Sequence, residues 1–231
     1  MKSFLKRGLV FAVFAVFALG SSNLFAQGLE VYPGQEWLEI SAADAQVEQA
    51  KIDTLFDLSF EDSATQGVVL IKNGLLIGER YAEGFSKDSY GTSWSMAKGF
   101  YWALVGISID RGEIDSLDDP VAKYLDYFND ERRHITLRDL LDMTSGLEFP
   151  KHEHENMFFS SDHLDYARNV GVEKEAGLLF EYNNVNSMLL ADILLQVTGT
   201  AADTLLRERI FNKIGLDNVT LWQDAAGTPL T

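Results

Sequence analysis

The sequence predicts a mixed α/β (α+β) fold: an antiparallel sheet with flanking helices, plus a helical subdomain from about Ser116 to Ile214. Three observations predict it. Gly67 to Lys72 and Leu75 to Tyr81 are strand-like runs on either side of Asn73-Gly74, a dipeptide suited to the two left-handed positions of a tight hairpin. Phe100 to Ile107 is apolar on every side of a helical wheel, so a helix there is expected to be buried all round, and it is too short to span a bilayer, which takes ~20 apolar residues. After Ser116, capping signals and apolar residues at helical spacing recur without another strand-like run. A lone two-stranded hairpin is marginal in water, so the sheet is expected to be incomplete as read.

Taken in order, residues 1–26 read as a secretory signal peptide. Lys2, Lys6 and Arg7 form a positive start, Leu9 to Leu19 an apolar stretch, and Leu24-Phe25-Ala26 a cleavage site. An uncleaved membrane anchor is the alternative; otherwise no stable membrane insertion is expected. Either way the folded part is expected outside the cytoplasm, periplasmic or secreted. Residues 27–40, with Pro33-Gly34, read as a linker, and 41–231 as the folded domain. Ser41-x-x-Asp44 is a capping box ahead of Val47, Leu55 and Leu58 at helical spacing. The hairpin follows, and then polar residues Glu83 to Tyr90 lead into a helix that opens at Ser95 and ends near Gly112. Asp119-Pro120 reads as a cap followed by proline at the first helical position, with Val121, Tyr124 and Leu125 on one face. Thr136-x-x-Asp139 caps a short helix running into Leu140 to Leu147, and Lys151 to Asp162 is a polar loop. Val185, Met188, Leu189, Ile193 and Val197 mark an amphipathic helix closed by Gly199, and Ala201 to Ile214 one more helix.

Composition narrows the function. The 231 residues carry a net charge of −16, with 19 Lys plus Arg against 35 Asp plus Glu; without Lys2, Lys6 and Arg7 the balance is −19. Such a chain lacks the basic patches that nucleic-acid phosphates demand. It has no cysteine, which excludes disulfides, thiol catalysis and Cys-zinc sites.

Two constellations carry chemistry. Ser95 and Lys98 stand three apart, so in a helix the ammonium lies one turn above the hydroxyl and on the same face. A serine hydroxyl is a poor nucleophile until a neighbour takes its proton, and a close, partly desolvated lysine can do so or assist another base. The bland alternative makes Ser95 a helix cap and Lys98 a surface lysine. Tyr182-x-Asn184 follows 87 residues after Ser95. A tyrosine flanked by cations can exchange a proton, and an asparagine amide can bond the lysine and a substrate together. Its alternative is a packed tyrosine with Asn183 or Asn184 capping the next helix. Ser161-Asp162-His163 reads as a helix cap. His152-Glu153-His154-Glu155 reads as a polar loop, since no third ligand completes a metal site.

Ser95-Met96-Ala97-Lys98, Thr144-Ser145-Gly146-Leu147 and Tyr182-Asn183-Asn184 occur in the order found in serine beta-lactamase-related proteins. The chain resembles the branch with class C beta-lactamases, D-alanyl-D-alanine carboxypeptidases, related esterases and aminohexanoate-dimer hydrolases. Thr92 to Lys98 and Leu140 to Phe149 look most similar to the last group. The resemblance runs from about Ala43 to the end. It implies a beta-lactamase/transpeptidase-like fold and a serine hydrolase acting through an acyl-enzyme on an ester, amide, peptide or lactam. In those terms Ser95 is the nucleophile, Lys98 and Tyr182 the proton-transfer pair, and Asn184 a substrate-binding, hydrogen-bonding partner. The Ser95 N–H would be one oxyanion donor, and neither metal nor organic cofactor is implied.

Three departures stand out. The family's third motif, Lys or His, any residue, then Gly on a late strand, is expected beyond Thr231. Lys72-Asn73-Gly74 and Lys213-Ile214-Gly215 are decoys. Gly99 stands where Ser or Thr is usual, weakening the helix by up to ~1 kcal/mol relative to alanine unless it permits close packing. Ala176-Gly177 replaces the usual Pro-Gly. The competing reading is a catalytically inactive truncated homologue, or a binding module that keeps the acylation helix.

Overall fold

The computed structural model describes residues 32, 34, 36–148 and 156–229, and the chain forms two compact units, residues 1–91 and 92–231. The signal-like segment, half of the linker and the His152 to Glu155 segment lie outside the described residues.

In the first unit, helix α1 (Gln49–Ser59) buries Ile52 and Phe56, one turn apart, against the hairpin of β1 (Gly67–Lys72) and β2 (Leu75–Tyr81). Ala42, Val47, Val68, Leu70 and Ile77 complete this small core. The hairpin is the expected one. Asn73 and Gly74 both take positive φ (52° and 76°), Lys72 pairs with Leu75, and the register slips once between Leu70 and Ile71. Gly78 faces the Phe56 ring, where a Cβ would come within 3.2 Å. The outer edge of β2 is partly taken by residues 38–40, through Ile40 N–H to Leu76 O (3.0 Å) and Leu76 N–H to Leu38 O (2.9 Å). The regular sheet has two strands and is not closed. Ser41 and Asp44 do bond each other, but they close a turn; α1 starts five residues later.

The second unit is helical: α2 (Ala97–Asp110), α3 (Leu137–Leu141), α4 (Asn156–Phe159), α5 (His163–Arg168), α6 (Asn184–Thr198) and α7 (Ala202–Arg209). Helix α6 is the axle. Val185, Met188, Leu189, Leu190 and Ile193 join Val105, Phe128, Leu137, Leu140 and Leu147 in the main core. Its Ala191 and Leu194 pack with Tyr101, Leu104, Leu205, Leu206 and Phe211 in a second cluster. Every residue from Val185 to Leu194 is buried, including Asn186, Ser187 and Asp192, so the expected amphipathic pattern gives way to burial all round. Asp192 sits inside because Arg168 binds it with two nitrogens (both 2.9 Å) and the Tyr127 hydroxyl donates to it (2.6 Å). Those bonds offset the cost of taking a carboxylate out of water. Gly199 ends the helix in the left-handed conformation, φ 67°.

Helix α2 corrects the opposite expectation. It is not buried all round. Lys98, Tyr101, Leu104, Val105 and Ser108 face the core, whereas Gly99, Trp102, Ala103 and Gly106 form an exposed face. Apolar composition marked the helix as buried without saying which face has neighbours. The helix expected after Asp119-Pro120 is absent too. Val121–Lys123, Asp126–Phe128 and Glu131–His134 are short 3-10 turns. Pro120 is extended, and the Asp119 carboxylate collects the Ser116 N–H, the Lys123 ammonium and the Tyr124 hydroxyl, which folds the segment back on itself. Thr136 and Asp139 form the expected reciprocal box on α3. The last expected helix breaks at Ile210, leaving α7 and a 3-10 turn, Phe211–Lys213.

Candidate active site

Ser95 lies in a 3-10 turn, Trp94–Met96, just ahead of α2 rather than within it. Trp94 takes a left-handed φ of 45°, which costs a non-glycine residue of order 1 kcal/mol or more and persists only where the surroundings fix it. The turn leaves Ser95 exposed, while Lys98, one turn on, is 3% exposed. Its ammonium donates to Ser95 Oγ at 3.2 Å and lies 5.3 Å from the centre of the Tyr182 ring. A buried lysine is costly unless paired; here a hydroxyl and a ring face receive it.

Tyr182 ends an extended approach to α6, and its hydroxyl donates to Ser95 Oγ at 2.6 Å. Thus the three residues singled out as nucleophile and proton-transfer pair meet at one oxygen. Burial pushes the Tyr182 phenol up, but the Ser95 hydrogen bond and the Lys98 cation outweigh it and hold the group below its usual 10.0. Asn184, the fourth expected residue, opens α6 half-buried; among the described residues its amide makes no hydrogen bond, to Lys98 or to anything else. The helix cap is its neighbour. Asn183 Oδ1 accepts the Val185 N–H (2.9 Å), as the bland reading of this segment had allowed.

The Thr144 to Leu147 element holds Tyr182 from behind. The Met143 carbonyl accepts the Glu181 N–H (2.8 Å), the Thr144 carbonyl accepts the Gly177 N–H (2.8 Å), and the Gly146 carbonyl accepts the Glu173 N–H (2.9 Å). Only glycine fits at 146: φ is 68°, and a Cβ would stand 2.1 Å from the Lys174 carbonyl oxygen. Gly177, at φ 81°, supplies the turn that the departure Ala176-Gly177 preserves. Asn183 Nδ2 donates to the Leu147 and Glu148 carbonyls (3.3 and 3.4 Å), and Lys174 pairs with Glu181 (2.6 Å). Sequence reasoning treated Thr144 to Leu147 as a family signature and missed Asn183 and Asn186 as its anchors. The available signal was a pair of polar residues, Asn186 and Ser187, interrupting the apolar face between Val185 and Met188.

The remaining candidates have partners of their own. Asp162 caps α5 through the Asp165 N–H (2.8 Å), as expected of Ser161-Asp162-His163. Lys72 donates to the Ala45 carbonyl beside the hairpin turn. Among the described residues no group of three or more His, Asp or Glu could hold a metal ion.

A sequence model of the Beta-lactamase family matches residues 52–231. A D-aminopeptidase of Brucella anthropi is 33% identical over 140 residues, 57% of this chain and 26% of that protein. One from Brucella ovis is 30% identical over 176 residues, 69% of this chain and 33% of its own length. The chain therefore spans between a quarter and a third of these curated relatives. Among solved structures, a Bacillus anthracis protein to which 6-aminohexanoate-dimer hydrolase activity is ascribed superposes with a TM-score of 0.69 at 22% identity, over 87% of this chain and 59% of that one. An octameric penicillin-binding protein homologue from Pyrococcus abyssi gives 0.60 at 18% identity, over 76% and 45%. At these identities the two structures speak for the fold, which is beta-lactamase/transpeptidase-like.

Proposed function

We propose, for a chain that belongs to the beta-lactamase family, that Ser95 is the nucleophile of an exported serine hydrolase that cleaves small amides through an acyl-enzyme. The observation that carries the reading is the meeting of the Lys98 ammonium and the Tyr182 hydroxyl on Ser95 Oγ. In its phenolate form, which the neighbouring cation favours, Tyr182 takes the Ser95 proton as Oγ attacks the substrate carbonyl carbon. The oxygen that gains charge is received in part by the Ser95 backbone N–H, an interaction worth about 3 kcal/mol in comparable sites. Tyr182 then returns its proton to the leaving amine nitrogen as the C–N bond breaks, leaving the acyl group on Oγ. Water, deprotonated by the same phenolate, attacks the ester; the acid departs and Oγ recovers its proton. The Lys98 side chain, 3.2 Å from Ser95 Oγ and 5.3 Å from the Tyr182 ring centre, steadies the phenolate. Asn184, with an uncommitted amide in the first turn of α6, is placed to bond the substrate.

Amides are favoured among acyl substrates because the named relatives are a D-aminopeptidase and a protein ascribed 6-aminohexanoate-dimer hydrolysis. Export rests on the residue 1–26 pattern; a mature N-terminus at Gln27 after expression in a Gram-negative host supports it, and an intact Met1 on soluble cytoplasmic protein overturns it. The activity is tested with a D-alanine anilide, the linear 6-aminohexanoate dimer and a p-nitrophenyl ester. Turnover is expected for at least one, rising with pH through an ionisation below 10 because the deprotonated phenol is the active form. Ser95→Ala should remove it, a loss on the order of 10⁴-fold or more. Turnover by Ser95→Ala equal to that of the native chain would refute the assignment.

A further inference from the structure

We infer that Asn186, together with its partner Ser145, is a positioning residue for the acylation step: it fixes the turn that sets Tyr182 against Ser95. The inference rests on the proposed roles of Ser95 and Tyr182. Asn186 is 1% exposed on α6, and both ends of its amide are used inside the protein. Oδ1 accepts the Ser145 hydroxyl at 2.7 Å, and Nδ2 donates to the Met143 sulfur at 3.3 Å. The amide thereby ties together both arms of the turn from Met143 to Leu147, whose N–H also donates to Ser145 Oγ (3.3 Å).

Met143 is the sensitive point. It is a buried non-glycine residue at φ 57°, a conformation that L side chains leave unless their surroundings hold them. In that conformation its carbonyl receives the Glu181 N–H at 2.8 Å, one residue before Tyr182. The sequence of restraints is therefore continuous. Asn186 grips the Met143 side chain and Ser145, and the turn keeps its left-handed residue. The Met143 carbonyl pins Glu181, and Tyr182 Oη reaches Ser95 Oγ at 2.6 Å. Leucine at 186 would leave the buried Ser145 hydroxyl without its acceptor, so the amide and the hydroxyl act as a pair and are tested as one. Among the described residues the Asn186 amide bonds Ser145 and Met143 and neither Ser95 nor Lys98; it acts through Tyr182.

The test is the reaction of the full chain with a serine-directed fluorophosphonate, followed from pH 6 to 11 and resolved into a saturating rate and a half-saturating concentration, with a thermal melt alongside. For Asn186→Leu the saturating rate is expected to fall at least tenfold with half-saturation within twofold. The alkaline midpoint should move up towards the ordinary phenol value as Tyr182 leaves the Lys98 field. Ser145→Ala, which removes only the hydroxyl, should shift both in the same direction by less, and it decides the matter if Asn186→Leu does not fold. A native midpoint and a native rate per folded molecule in the folded variants, whatever their melting temperature, would show that the pair is structural only and overturn the inference. If the native chain is not labelled, or is labelled away from Ser95, the serine-hydrolase reading fails and this inference falls with it. Labelling at Ser95 with unmoved variants sinks the positioning role alone.

Discussion

Helices α2 and α6 each follow one half of the candidate site, yet they are buried in opposite ways. Helix α2 looks wholly apolar between Phe100 and Ile107 and still presents Gly99, Trp102, Ala103 and Gly106 to the outside among the described residues. Helix α6 contains asparagines, a serine and an aspartate and is enclosed for ten residues running. Apolarity permits burial, whereas neighbours decide it. Helix α6 is enclosed because α2, α3, α5 and α7 all pack on it; of its buried polar side chains Asn186 and Asp192 have partners, whereas the Ser187 hydroxyl has none among the described residues. The division suits the proposed roles. Ser95 sits exposed in the turn just ahead of the less enclosed helix, and Tyr182 is held by a buried, hydrogen-bonded frame.

The largest expected effect breaks the enclosed side. Asp192→Ala removes the partner of Arg168 and of the Tyr127 hydroxyl and should cost about 3 kcal/mol or more in denaturant unfolding. Asp192→Leu combined with Arg168→Met should recover at least half of that, because an apolar pair of similar volume no longer needs neutralising. No recovery would mean that the network specifies the packing of α6 as well as balancing charge. The smaller effect sharpens the open side. At Gly99 an added Cβ meets nothing within 4 Å, so Gly99→Ala should stabilise α2 by roughly 0.5–1 kcal/mol through helix propensity alone. Destabilisation instead would reveal that the face of Gly99 and Gly106 is covered in solution, as the close-packing reading of that glycine supposes.

What could be read from the sequence was local and stereochemical. The hairpin is right to the residue because Asn73-Gly74 admits few backbone geometries, and Gly199 and the Thr136–Asp139 box mark helix ends for the same reason. At the candidate site, the meeting of Ser95, Lys98 and Tyr182 was legible only from the three together. Each motif alone had a bland reading, and their order supplied what spacing could not. The rest depended on long-range partners. Nothing near Asp119 says that its carboxylate will gather Lys123 and Tyr124 and prevent a helix. Nor does Tyr182-Asn183-Asn184 say that Asn183 is the cap and Asn184 the uncommitted amide, since that depends on the carbonyls of Leu147 and Glu148, more than thirty residues earlier.

The central claim is that Ser95 is the residue that becomes acylated. Peptide mapping by mass spectrometry after treating the full chain with a fluorophosphonate tests it without assuming a substrate. The account predicts one adduct, on the peptide containing Ser95, lost in Ser95→Ala and strongly slowed in Tyr182→Phe. An adduct on another residue, or equal labelling of the Ser95→Ala protein, would contradict it.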